Sequence, residues 1–153
     1  MKYFTFVDKD HLAYTKKEIW DVVLDVKSWP LLWKYVVDIT LYKDEKVSEG
    51  TKIDCYFTLY HLLNLHFNVS IETLKKEEFA SFSIEGDFSG KGRWILKTEN
   101  ALSESELFLH LQTNHFLLKF ISILPFGEKM VQYSHRRVML EGKKMIIKKL
   151  SHV

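Results

Sequence analysis

The chain has 153 residues, of which 46% are hydrophobic and 27% charged, and carries a net charge of +2. That composition suits one globular domain over 1–153 with a core of its own and excludes a disordered chain. Two prolines and six glycines exclude low-complexity tails, and the lone Cys55 excludes an intramolecular disulfide framework or a multi-cysteine zinc site.

No run of 18 apolar residues is present to span a membrane, and Met1-Lys2-Tyr3-Phe4 opens no apolar leader. A cytoplasmic protein is expected. Charge is uneven: residues 129–153 hold seven cations against Glu141 alone. Such a basic segment suits weak contact with an anionic membrane surface, or more plainly a solvated helix end where the helix dipole favours cations. With 3 Arg against 19 Lys, sequence-reading nucleic-acid binding is not expected.

In chain order, Lys2-Tyr3-Phe4-Thr5-Phe6-Val7 is aromatic and β-branched and reads as a strand, extending as far as Tyr14. Thr15-Lys16-Lys17-Glu18 is a capping box, and Ile19, Trp20, Val22, Val23 and Val26 follow at helical spacing. This helix is expected to end near Lys27-Ser28, because the residue before Pro30 avoids helical geometry. Pro30 then suits the first turn of a short helix, Leu31 to Tyr35. Asp21 and Asp25 read as a like-charge i, i+4 pair facing water.

The period then changes to two. Val37, Ile39 and Leu41 form one face, then Ile53, Cys55, Phe57 and Leu59, then Leu65, Phe67, Val69 and Ile71. Phe79 to Glu85 is a further strand, and Gly86, Gly90 and Gly92 around Asp87-Phe88-Ser89 signal a hairpin or bulge. Trp94 to Lys97 and Leu107, Leu109 and Leu111 complete the run. Alternation on strand after strand predicts an antiparallel sheet with one wet and one covered face. His115 to Leu124 reads as a short helix or lid, broken by Pro125-Phe126-Gly127. From Glu128 to Leu150, Val131, His135, Val138, Gly142, Met145, Ile146 and Lys149 fall on one stripe of a long helix of roughly 30 Å. A sheet wrapped around that helix leaves a cavity between the layers.

This order resembles the helix-grip fold of the SRPBCC superfamily, which includes StAR-related lipid-transfer domains, polyketide cyclase/dehydrase-like proteins and coenzyme Q-binding proteins. Trp20-Asp21-Val22-Val23-Leu24-Asp25-Val26, with Trp29-Pro30 and Trp33, looks like that family's first helix and its entry to the second. Gly50-Thr51-Lys52-Ile53 looks like its Gly-Thr strand start, and Gly86-Asp87-Phe88-Ser89-Gly90-Lys91-Gly92-Arg93-Trp94 like its glycine-rich hairpin. His135-Arg136-Arg137-Val138-Met139 is similar to the His-x-x-x-Met pattern of many polyketide cyclase-like members. One departure is Ala101-Leu102-Ser103-Glu104-Ser105 where the family has Gly-Thr before the last strand. The resemblance spans nearly the whole chain and implies an α+β helix-grip domain: six or seven curved antiparallel strands around a long C-terminal helix, with two short helices between the first two strands. It also implies a small hydrophobic ligand: a lipid, quinone or polyketide.

Strand and helix parity nominate Trp33, Tyr35, Phe57, Phe67, Phe82, Trp94, His135, Val138 and Met139 as ligand-contacting residues. Core packing is the plainer role for each. His135 is turned toward the sheet, and in a polyketide aromatase/cyclase or dehydratase it would act as acid/base or polarise a carbonyl. The plainer role is a hydrogen-bonded core histidine. His61-x-x-x-x-His66 and His110 to His115 lack the helical spacing of zincins and read as surface imidazoles, so neither metal nor cofactor is expected. Arg93 and Arg136 would anchor an acidic group if inward, but Arg93 alternates with Trp94 and faces solvent. Cys55 reads as a small hydrophobe. The Asn114 to Gly127 segment is the expected gate.

Overall fold

A computed structural model describes residues 3–42, 46–59 and 62–151. Seven strands form one antiparallel sheet: β1 (Tyr3–Leu12), β2 (Val36–Tyr42), β3 (Lys52–Leu59), β4 (Leu63–Lys75), β5 (Phe79–Gly86), β6 (Phe88–Glu99) and β7 (Leu102–Thr113). Their spatial order is β1-β7-β6-β5-β4-β3-β2. Between β1 and β2 run α1 (Lys16–Leu24), a 3-10 turn (Val26–Ser28) and α2 (Trp29–Leu32). After β7 come α3 (Phe116–Ile123) and α4 (Gly127–Ser151), which lies over the inner face of the curved sheet. The antiparallel sheet, the long closing helix and the short helices after β1 are as expected from the alternation of the sequence.

Local chemistry explains most element ends. The Thr15 hydroxyl accepts from the Glu18 backbone N–H, and Glu18 accepts in return from Thr15 N–H. The helix closes at Leu24 rather than Lys27, and the chain turns through Val26–Ser28. Trp29 is helical (φ −55, ψ −44) despite Pro30, and α2 therefore spans Trp29–Leu32 instead of starting at Leu31. Proline tolerates this position because the first helical N–H groups need no intrahelical partner. Asp25 consequently lies past the end of α1, so the expected Asp21/Asp25 repulsion does not arise. Asp21 pairs with Lys17 at 2.6 Å, and Asp25 takes Lys149 of α4 at 2.6 Å together with the Ser28 hydroxyl. Those two hydrogen bonds hold the Asp25 carboxyl below its usual range.

A bulge between Val36 and Asp38 shifts the parity of β2. Val36 is buried and Val37 exposed, correcting the inward reading of Val37. At the β6–β7 turn, Asn100 and Ala101 both take left-handed φ values of 49° and 67°. This is the geometry of a two-residue type I′ hairpin, and it occupies the position where the resemblance led one to expect Gly-Thr.

The register places α1 and α3 at opposite ends of the sheet. Leu12, which leads into α1, pairs with Ser103, whereas Tyr3 pairs with Gln112 just before α3. The C-terminal half of α4 is tied to the α1 end. Lys149 meets Asp25, and Tyr14 Oη lies 3.1 Å from Ser151 Oγ. Trp33 lies flat against Gly142, where an added Cβ would come within 3.0 Å of the indole, and its Nε1–H donates to the Val138 carbonyl at 2.9 Å.

Candidate functional site

Between the inner face of the sheet and α4 lies a cavity of about 550 Å³ with almost wholly apolar walls. One wall is an arc of aromatic rings in contact. Trp29 meets Trp33 at 5.3 Å between centroids, Trp33 meets Phe57 at 5.6 Å, Phe57 meets Phe67 at 5.2 Å and Phe67 meets Phe88 at 5.8 Å. The strand period produces this arc: Phe57 and Phe67 are inward residues of neighbouring strands, placed diagonally by the cross-strand pairs Cys55–Phe67 and Phe57–Leu65 to which they belong. Phe82 lies opposite Gly92, where a Cβ would come within 2.5 Å of its ring, so the glycine makes the space in which that ring lies. At the α1 end Trp94 stacks on Trp20 at 5.5 Å, and its Nε1–H donates to Ser105 Oγ at 2.8 Å.

At the opposite end the lining comes from Leu62 and Leu63, from Phe88 and Thr113, and from Leu117, Leu118 and Ile121 of α3. The expected gate segment therefore forms part of the wall. Gly127 allows the α3–α4 elbow to close, since a Cβ there would collide with the Ile121 carbonyl.

Eight of the nine nominated residues line this cavity: Trp33, Phe57, Phe67, Phe82, Trp94, His135, Val138 and Met139. Tyr35 does not. Lys34 and Tyr35 form a turn, closed by the Val36 N–H to Trp33 carbonyl bond, so strand alternation does not reach back to them. Tyr35 instead takes the Lys34 ammonium 5.2 Å from its ring and lies beside the Arg137 guanidinium.

The polar part of the cavity is concentrated where β1 faces α4. His135 stacks on Phe6 with centroids 3.9 Å apart, and its Nε2–H donates to the Asp8 carboxylate at 2.6 Å. Both side chains are largely buried. Asp10, two residues on, pairs with Lys143 at 3.1 Å. Asp8 and Asp10 were missed as site residues, although the signal was in the strand period: Phe4, Phe6, Asp8, Asp10 and Leu12 share one face. An imidazole held by a carboxylate has a fixed orientation and one nitrogen committed to donation, which leaves the other to accept or to carry a proton.

Other expectations lie away from the cavity. Cys55 is buried among apolar side chains, and burial pushes its thiol up to about 12, far from a nucleophile's range. Arg93 faces outward over Phe108, 4.7 Å from the ring centroid, and Arg136 is exposed. His61 lies outside the described residues. His66 donates to Asp54 at 2.9 Å, on the outer face, and Tyr42 Oη–H donates to the same carboxylate at 2.6 Å. Burial pushes Asp54 up, but these two hydrogen bonds outweigh it and hold the carboxyl below its usual range. His110 contacts the Thr5 hydroxyl, and His115 caps α3 by accepting from Leu117 N–H. Among the described residues, His11, Glu99 and Glu104 bring ligand atoms within 4.8 Å of one another, but Lys9 already pairs with Glu104 at 3.2 Å.

Seven antiparallel strands gripping a long helix over an apolar hollow match solved structures along almost the whole chain. The aromatase/cyclase Zhui from Streptomyces sp. R1128 superposes with a TM-score of 0.75 at 9% identity, covering 97% of this chain and 93% of that one. A START superfamily protein from Mycobacterium smegmatis gives 0.71 at 12%, with 97% of each chain covered. The di-domain ARO/CYC StfQ from the steffimycin biosynthetic pathway gives 0.78 at 10%, over 99% of this chain and 52% of that one. The chain has the helix-grip fold. No protein-family model matches the sequence, and no curated protein does. At identities this low the likeness carries fold alone, and the chemistry of this helix-grip cavity rests on its own residues. No described helix is long and apolar enough to cross a membrane.

Proposed function

We propose that residues 1–153 form one binding domain that carries a small hydrophobic molecule, of lipid, quinone or polyketide type, in the cavity between the sheet and α4. The observation that carries this reading is the cavity of about 550 Å³ bounded by the aromatic arc. Enclosing roughly 300 Å² of apolar ligand surface contributes about 7 kcal/mol before association costs. Flat or branched apolar molecules suit walls built from ring edges. A cytoplasmic location goes with this reading.

Native mass spectrometry of the purified protein, followed by extraction and identification of whatever copurifies, tests it. The expected outcome is an apolar adduct that is lost when Phe57 and Phe67 are both replaced by Asp. A protein that neither copurifies with nor takes up apolar molecules overturns the carrier reading.

The Asp8–His135 pair favours a second reading, a polyketide cyclase, aromatase or dehydratase with His135 as acid/base. His135→Ala then abolishes turnover of a polyketide-like substrate while ligand is retained. In a pure carrier, the same substitution leaves nothing catalytic to lose.

A further inference from the structure

α3 is apolar on both sides. Leu117, Leu118 and Ile121 face the cavity, while Phe116, Phe120 and Ile123, spaced i, i+4, i+7 on another face, are 72%, 59% and 78% exposed. Leu124 and Phe126 of the elbow and Met130 and Tyr133 of α4 continue the exposed apolar surface along the chain. Scattered apolar residues on a surface need no explanation, but a contiguous group of this kind marks a docking site.

The charge around this group is one-sided. Residues 115–140 contain four cations and a single carboxylate, Glu128. Lys119, Lys129 and Arg136 are exposed and, among the described residues, no side-chain hydrogen bond or ion pair engages their charged ends. Lys129, Tyr133, Arg136 and Leu140 share one exposed stripe of α4, so cations are interleaved with apolar side chains. The far end of α4 behaves differently. There Lys143, Lys144 and Lys149 pair with Asp10, Glu141 and Asp25.

We infer that α3 and the start of α4 dock on an anionic phospholipid bilayer, with Phe116, Phe120 and Ile123 entering the acyl boundary and Lys119, Lys129 and Arg136 meeting the headgroups. Cations beside an apolar helix face complement such a surface. A second copy of the chain fits less well, because a twofold contact would set the same cations against each other. The membrane-facing surface is thus the cavity cover together with the first turns of the basic segment 129–153. This surface is independent of what fills the cavity.

Cosedimentation with phosphatidylcholine vesicles, with and without phosphatidylserine, tests the inference. The full chain is expected to bind the anionic vesicles, and binding falls as salt rises. The Phe116→Ser/Phe120→Ser variant, altered only at exposed positions and checked for an unchanged melting transition, should bind on the order of a hundredfold more weakly. Lys129→Gln and Arg136→Gln should each cost about fivefold, and Lys148→Gln nothing. A dye placed on Ile123→Cys should shift to the blue on vesicles, while the same dye on Lys148→Cys should not; buried Cys55 stays unlabelled. Absence of binding at low salt, or binding undiminished in the double Phe variant, overturns the inference. Concentration-dependent self-association that the double variant abolishes, without vesicle binding, assigns the surface to a second copy and overturns it equally.

Discussion

Two short helices stand at opposite ends of the same sheet, and they are built to different rules. α1 starts from a capping box, buries Ile19, Trp20 and Val22, and turns Lys17 and Asp21 outward as an ion pair. α3 is of similar length, buries no residue fully and exposes phenylalanine and isoleucine to solvent. Amphipathic helices are held by the apolar stripe they bury. By that measure α1 is a permanent plug, and α3 is a cover that little cohesive energy keeps in place.

The comparison can be broken first at its heaviest point. Ile19 is fully buried, so Ile19→Ala should cost about 2–5 kcal/mol in denaturant unfolding. A cost like that of a surface site would mean α1 is no better anchored than α3. Gly142→Ala should cost about 1–3 kcal/mol by forcing the Trp33 indole off α4, and Trp33 fluorescence should change with it.

Asp54→Asn should cost about 1–3 kcal/mol at neutral pH, because Tyr42 and His66 lose their ionised acceptor. The carboxyl is held below its ordinary 3.8. Its contribution is therefore present above that pH and is lost as pH falls through the folded value. The gap between variant and wild type should narrow in acid, and a gap that widens would refute the assignment. Ala101→Gly, in the hairpin at the α1 end, should stabilise by about 1 kcal/mol, since glycine accepts the left-handed backbone that alanine resists. Phe120→Ser should be smallest, within about 0.5 kcal/mol. A larger loss would show that α3 is held as firmly as α1.

Much of this architecture was readable before any coordinates. Alternation from Ile53 to Ile71 and the stripe from Val131 to Ile146 follow from periods of two and 3.6, which survive without knowledge of neighbours. Failures arose where the period is interrupted. The bulge at Val36/Asp38 and the turn at Lys34-Tyr35 each reset which face a side chain takes, exposing Val37 and moving Tyr35 off the cavity wall. Pairings across the fold are a different matter. That Asp8 would find His135, 127 positions away, depends on how β1 lies under α4, and no local pattern encodes it. Strand parity did contain the fact that Asp8 and Asp10 share a face with Phe4 and Phe6.

The contact of Trp33 with Gly142 has a mechanical meaning. From Val138 onward the long helix is pinned by an indole, three ion pairs and a tyrosine, whereas its opening turns are joined to the body chiefly through Phe6, Asp8 and α3. A rod clamped in this way moves as a cantilever. Displacement grows with distance from the clamp, so any bending of the helix is least at the Trp33 contact and greatest at the α3 elbow.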